Sequence, residues 1–131
     1  MHVNNIFGAI QPIGKIVELL KDYPKIHFHV DGVQGVLKEK IDLTMIDSYS
    51  ISAHKFHGLK GVGVLYLKSR RTTHNITFGG GQENGLRSGT VNVPGAVSLA
   101  KALRLTQEKV NDVKEKHYEY KKLIDDELST I

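Results

Sequence analysis

Apolar Ile13, Ile16, Val17 and Leu20 recur at helical spacing between Pro12 and Lys21, and Pro12 suits a first helical turn. Asp22-Tyr23-Pro24 stops that helix. Ile26-His27-Phe28-His29-Val30 then alternates and runs into Asp31-Gly32, which predicts a strand ending at a polar residue. Leu43 to Ile51 holds a second strand-like run, and it too ends in small and polar residues, Ser52-Ala53-His54-Lys55. Gly58-Leu59-Lys60-Gly61 turns the chain, and Val62 to Leu67 predicts a third strand. Ile76-Thr77-Phe78 is a short fourth candidate, ahead of a glycine-rich stretch from Gly79 to Gly89. Between Val93 and Leu128 apolar residues keep a three-or-four spacing through Val97, Leu103, Val113 and Ile124. One long helix or two in tandem would run up to ~55 Å there. That length overshoots a compact domain of this size and fits a connector to another domain.

Helix alternating with strand predicts an α/β sheet with helices on its faces. Ligands of such sheets collect outside the carboxyl ends of the strands. Asp31 and the Ser52–Lys55 group both fall at such ends, so two polar clusters from separate stretches converge on one edge.

Composition narrows the chemistry. The chain has 131 residues, 40% hydrophobic and 24% charged, enough for a core of its own. Its 18 basic and 14 acidic residues give a net charge of +4, scattered apart from local clusters at Lys68–Arg71 and in the last segment. A nucleic-acid binder concentrates its positive charge on one face and adds a recognition motif, and neither is visible. No cysteine is present, which excludes a disulfide framework, a thiolate metal site or a Cys nucleophile within the chain. No run approaches the ~18 apolar residues of a membrane span and no leader opens the chain, so a cytoplasmic location and no membrane contact are expected.

The sharpest chemical signal is Lys55, in a turn straight after a predicted buried strand. An amine buried among apolar groups loses its proton more readily, and a neutral lysine forms Schiff bases with carbonyls. Asp31 adds a strand-end carboxylate ahead of it. Pyridoxal phosphate works as an electron sink while its ring nitrogen stays protonated, and a carboxylate partner maintains that state. Taken alone, Asp31-Gly32 is more often a turn pair, and Gln34 suits either a contact to the ring's phenolic oxygen or a surface position. Ser52 and His54 supply a hydroxyl and a ring N–H of the kind a phosphate needs. Ser50 alternates with Ser52 and faces either way.

These residues also form motifs. Ser52-Ala53-His54-Lys55 resembles the Ser-x-His-Lys signature of class V aminotransferase-type enzymes, and His29-Val30-Asp31-Gly32-Val33-Gln34 resembles that group's His-Val-Asp-x-x-Gln segment. Met1-His2-Val3-Asn4-Asn5 and the run from Gly79-Gly80-Gly81-Gln82-Glu83 through Arg87-Ser88-Gly89-Thr90 narrow the resemblance to the NifS/IscS-like cysteine desulfurases. The four motifs follow in order over nearly the whole chain. The resemblance implies part of the large domain of a pyridoxal-phosphate-dependent transferase of the aspartate aminotransferase-like fold. Its sheet is mostly parallel and flanked by helices, and the helix at about 92–131 leads toward a small domain outside residues 1–131.

Roles follow by the same resemblance. Lys55 holds the cofactor as an internal aldimine and moves the substrate α-proton. Asp31 pairs the pyridine nitrogen, Gln34 contacts the phenolic oxygen, and Ser52 and His54 bind phosphate. Thr90 binds phosphate in the partner subunit of a homodimer. Asn5 lies beside the cofactor and holds the substrate carboxylate. The implied reaction takes sulfur from L-cysteine to leave alanine and an enzyme persulfide, which a sulfur-acceptor or scaffold protein collects for iron–sulfur clusters or tRNA thiolation. In such enzymes the catalytic cysteine and a substrate-binding arginine come after the Arg-Ser-Gly-Thr motif. Part of the phosphate site and a stacking His come before the segment matched here, so the chain corresponds to a central fragment.

Two departures stand next to the site: Ile6-Phe7 where the family continues with Glu and Ile, and Leu59 where a Pro is common. A selenocysteine lyase, an aminotransferase, or a catalytically incomplete folding or interaction module are the alternatives. His27 with His29, and His54 with His57, lack the further ligands a zinc site needs, so no metal is expected. The Gly80–Ser88 stretch has Leu86 where a P-loop requires its Lys.

Overall fold

Helix α1 (Ile13–Leu20) follows Pro12 and turns Ile13 and Val17 toward the sheet, while Lys15, Glu18 and Leu19 face solvent. The computed structural model describes residues 1–69 and 73–130, so Arg70 and Arg71 of the expected basic cluster lie outside the described residues. Strands β1 (His29–Asp31), β2 (Ser48–Ser52) and β3 (Gly63–Leu67) form one sheet in the order β1-β2-β3. β1 runs parallel to β2, with Asp31 opposite Ser50, while β3 runs antiparallel to β2, with Ser52 opposite Gly63. The sheet is therefore mixed, where a mostly parallel one was expected. The reason is distance along the chain: a parallel crossover needs a dozen or more residues, and only residues 53–62 separate β2 from β3.

The second strand-like run begins later than its apolar pattern suggests. Asp42 accepts hydrogen bonds from the backbone N–H of Thr44 (2.9 Å) and from its hydroxyl (2.7 Å). That cap winds Leu43–Met45 into a single 3-10 turn before β2 starts. The Thr44 hydroxyl first, then the Thr44 N–H, with Lys68 adding, hold the Asp42 carboxyl below its ordinary value. Ile76-Thr77-Phe78 forms no strand, and Ile76 and Phe78 stand in solvent.

One face of the sheet buries Val30, Ile46 and Tyr49 against α1. A second cluster, Ala53, Phe56 and Leu99, lies under the turn after β2 and receives helix α2 (Val93–Glu108), which Asn92 caps by accepting from Gly95 N–H at 3.0 Å. Ile51 packs against both clusters. Helix α3 (Val110–Leu128) follows at once, so the long periodic stretch is two helices in tandem. α3 buries none of its residues, and Val113, Tyr120, Ile124 and Leu128 stay exposed along it. The ion pairs among the described residues are exposed helical neighbours, such as Arg104 with Glu108 at 2.6 Å, each worth a few tenths of a kcal/mol. No helix of the described residues is long and apolar enough to cross a membrane.

Candidate active site

The turn after β2 is built to push two side chains outward. Its 3-10 geometry, Ala53–Phe56, has about three residues per turn, so positions 53 and 56 share a side. Both are buried, Ala53 completely and Phe56 to 2% exposure, and His54 and Lys55 between them face solvent. Ala53 N–H donates to Val62 O and Gly58 N–H to Ala53 O, each at 2.9 Å, closing the turn onto the start of β3. His57 completes it in the left-handed region, at φ +69°. Lys55 is thus exposed in this chain, where burial among apolar groups was expected, because the apolar floor of the turn is taken by its neighbours. Among the described residues the Ser52, His54 and Lys55 side chains have no hydrogen-bonding partner.

Asp31 ends β1 on the neighbouring strand, roughly 4.8 Å across the ladder from Ser50, with Ser52 two positions further. Its Oδ1 accepts from Val33 N–H at 2.9 Å, its carbonyl accepts from His2 N–H at 2.7 Å, and Gly32 N–H extends the ladder to Ser50 O at 2.8 Å. Gln34 lies in the turn that follows, where its Oε1 accepts from Lys38 at 3.3 Å. The structure therefore brings Asp31, Ser52, His54 and Lys55 to one edge of the sheet, with Gln34 one turn beyond Asp31.

Asn5 and Thr90 are placed apart from that group. Asn5 stands in the turn of a short hairpin, Val3 bridging Ile10, whose base is tied to Asp31 through His2. Asn4 shapes that turn by accepting from the Ile6 and Phe7 N–H groups at 2.9 Å, which leaves Ile6 and Phe7 exposed at the tip. Thr90 is exposed between the glycine-rich loop and α2, and no hydrogen bond among the described residues joins it to the edge. Within that loop Ser88 donates to Gly80 O and Gly89 N–H to Gln82 Oε1, so its polar side chains hold the loop itself.

Sequence reasoning missed a second layer of polar residues. Ser48, 2% exposed, is shared by His27 Nε2 at 2.9 Å and His29 Nδ1 at 2.8 Å, and His29 Nε2 reaches Ser50 at 3.4 Å. The alternation of His27 and His29 against Ser48 and Ser50 is the signal that points to this row. On the other face buried His2 meets Tyr49, a pair far apart in sequence that leaves no local trace. A cleft of about 350 Å³ lies between the hairpin, α1 and β1, lined by Asn4, Gln11, Ile16 and His29 among others. It contains none of the edge residues.

The edge offers a carboxylate to hold a cation, hydroxyl and imidazole groups for an anion, and a primary amine able to add to a carbonyl. Comparison with known proteins places the chain in a family. The family model described as aminotransferase class-V matches residues 1–131. A NifS/IcsS protein homolog of Lactobacillus delbrueckii subsp. bulgaricus is 50% identical over 119 residues, covering 88% of this chain and 30% of that protein. A cysteine desulfurase IscS of Dictyoglomus turgidum is 45% identical over 107 residues, covering 80% of this chain and 27% of that one. Among solved structures, a NifS-like protein from Rickettsia africae superposes with a TM-score of 0.90 at 30% identity, over 99% of this chain and 36% of that one. The chain spans about a third of the length of the relatives it matches. It belongs to the class-V aminotransferase family of pyridoxal-phosphate-dependent enzymes, and over most of its length it is similar to the NifS- and IscS-like members.

Proposed function

We propose that this chain is the cofactor-holding segment of a cysteine desulfurase that removes sulfur from L-cysteine. The observation that carries this reading is the edge where Asp31 and the Ser52–His54–Lys55 turn end two adjacent parallel strands. The donor set fits pyridoxal phosphate. Lys55 presents an unpartnered amine for covalent attachment, and Ser52 and His54 beside it present unpartnered groups for the phosphate. Asp31 uses one lone pair on Val33 and keeps the rest of its carboxylate for a protonated ring nitrogen. When bound, the cofactor supplies an electron sink for the substrate α-carbon.

The remaining roles belong to the protein. Lys55 carries the α-proton away from the substrate and returns it, and Gln34 contacts the ring's phenolic oxygen after releasing Lys38. Asn5 turns its amide to the substrate carboxylate, and Thr90 completes the phosphate site of a second copy in a homodimer. Sulfur leaves to a thiol outside these residues, because the chain holds no cysteine. The same absence favours a second reading of the chain taken alone, as a catalytically incomplete folding or interaction module. In the complete enzyme the helix region at about 92–131 leads toward a small domain, and a sulfur-acceptor or scaffold protein takes the persulfide sulfur in the cytoplasm.

Borohydride reduction of the full-length protein loaded with pyridoxal phosphate, followed by peptide mass mapping, tests the assignment. The expected result is a pyridoxyl group on Lys55 and none in Lys55→Ala. Label on Lys60 or Lys68 would overturn it.

A further inference from the structure

Asp31 is held from two sides by residues that take no part in the edge itself. Above it, His2 N–H donates to its carbonyl at 2.7 Å. Below it, the Tyr49 ring lies against Gly32, the residue that follows. A Cβ added at Gly32 would sit 1.8 Å from Tyr49 Cζ and 2.2 Å from its hydroxyl oxygen, so a side chain there requires the buried ring or the turn to shift. The same ring is 6% exposed and meets His2 edge-on, with centroids 6.4 Å apart, planes at 69° and 3.4 Å between Nδ1 and the hydroxyl. His2 in turn fills the space over Gly35, where an added Cβ would come within 2.5 Å of Nδ1. The hairpin, β2 and the turn after β1 therefore lock together directly beneath the carboxylate.

The protonation states agree with that packing. Burial first, and the Asp31 carboxylate second, push the Tyr49 phenol above its ordinary value, so it keeps its proton. Burial lowers His2, against an opposing pull from Glu39 and with a smaller lowering from the chain's amino terminus, so its imidazole is neutral and able to accept from that phenol.

We propose that Tyr49 is a positioning residue which, with His2, sets the seat of the Asp31 carboxylate, and that glycine at position 32 is the condition for it. This rests on the reading that Asp31 pairs the cofactor's ring nitrogen. A methyl group at position 32 lifts the turn off the ring, and the Asp31 carboxylate moves with it. Tyr49 sits on the core face of β2 and touches the reaction only through that turn.

The test uses the full-length protein loaded with pyridoxal phosphate, reading cofactor affinity and the pH midpoint of the visible absorbance of the bound cofactor. Asp31→Asn moves the midpoint by about one pH unit or more. Gly32→Ala moves it in the same direction and weakens cofactor binding by about tenfold. In a Tyr49→Leu background the added Gly32→Ala changes affinity by less than about twofold and the midpoint by less than about 0.3 pH units, because the three atoms nearest the added Cβ all belong to the ring. Equal effects of Gly32→Ala in the two backgrounds would overturn the proposal. Should Gly32→Ala fail to fold, Tyr49→Phe decides: it keeps the ring and removes the hydroxyl, and a midpoint left at the wild-type value would overturn the His2 link and the proposal with it. An unmoved midpoint in Asp31→Asn is a separate outcome, which defeats the reading of Asp31 itself.

Discussion

Phe56 anchors the turn that presents Lys55, and its removal is the perturbation whose size the structure sets most directly. The ring is 2% exposed, packed with Ala53 and Leu99 and flanked by partly buried Val36, Leu37, Ile51 and Val62. A buried phenylalanine takes about 150–250 Å² out of water, which at about 25 cal/mol per Å² corresponds to about 4–6 kcal/mol. The unfolded chain already hides part of that surface, so the figure is an upper bound. Large-to-small series put Phe→Ala at about 3–5 kcal/mol. Against a total of about 5–15 kcal/mol for a typical native protein, about a fifth or more of the stability goes with one side chain. Phe56→Leu, which refills most of the volume, costs less than about 1.5 kcal/mol. Urea unfolding of the full-length protein, followed by far-UV circular dichroism, measures both. Thr106 still donates to the carbonyl of residue 56 in either variant (3.2 Å), so the backbone bond does not confound the comparison. Leu99→Ala shares the cavity, and the double variant costs less than the sum of the two singles. A loss below about 1 kcal/mol in Phe56→Ala would show that the cluster is not what holds the turn, and the account of Lys55 presentation would fail.

Other outcomes follow from smaller features. His2 has its folded-state value depressed below 6.5, so the unfolded chain binds more protons over that window; its contribution is complete above about pH 6.5 and is lost as pH falls through the depressed value. Thermal melts from pH 8 down to 5 read this, and His2→Gln flattens that part of the profile. Asn92→Ala removes the cap on α2 and costs about 1 kcal/mol by urea titration, whereas Asn92→Ser retains most of it. The 131-residue chain by itself, given L-cysteine, a reductant and pyridoxal phosphate, releases no sulfide, since it holds no thiol to take the sulfur. Sulfide formed in proportion to the chain, and abolished by Lys55→Ala, would refute the thiol requirement.

The parts of this molecule that were legible in its sequence are those encoded locally. Ile13, Ile16, Val17 and Leu20 specify α1 within two turns, and Asp31 and Ser52 mark strand ends by their own polarity. The apolar spacing of Leu43 gave way to a side chain, Asp42, whose two hydrogen bonds outweigh a weak strand preference. The direction of β3 is readable from the short connection, which is too brief for a parallel crossover, and it makes the sheet of the described residues mixed. The exposure of Lys55 was not readable from pattern alone, because it depends on which of four successive residues the 3-10 turn points inward. His2 and Tyr49 were illegible for a different reason: they meet only because the hairpin base joins the end of β1, and no local pattern anticipates a contact across that span.

The closure of the Lys55 turn also bears on the order in which the edge is assembled. β2, the turn and β3 make one contiguous antiparallel hairpin, sealed where Ala53 meets Val62. Hairpins of this kind form in about 1–10 μs, and closing a ten-residue loop takes about 10–100 ns. β1 reaches the same sheet only after residues 32–47 have been wrapped into a parallel connection, a slower step because its contacts are further apart along the chain. The hairpin is thus local in sequence, while the floor of its turn takes Val36 and Leu37 from that connection and Leu99 from α2. Until β1 docks, the edge of β2 that receives it is open, with its unpaired N–H and C=O groups available to any other strand. Folding of this segment is most exposed to mispairing at the edge where the chemistry is later built.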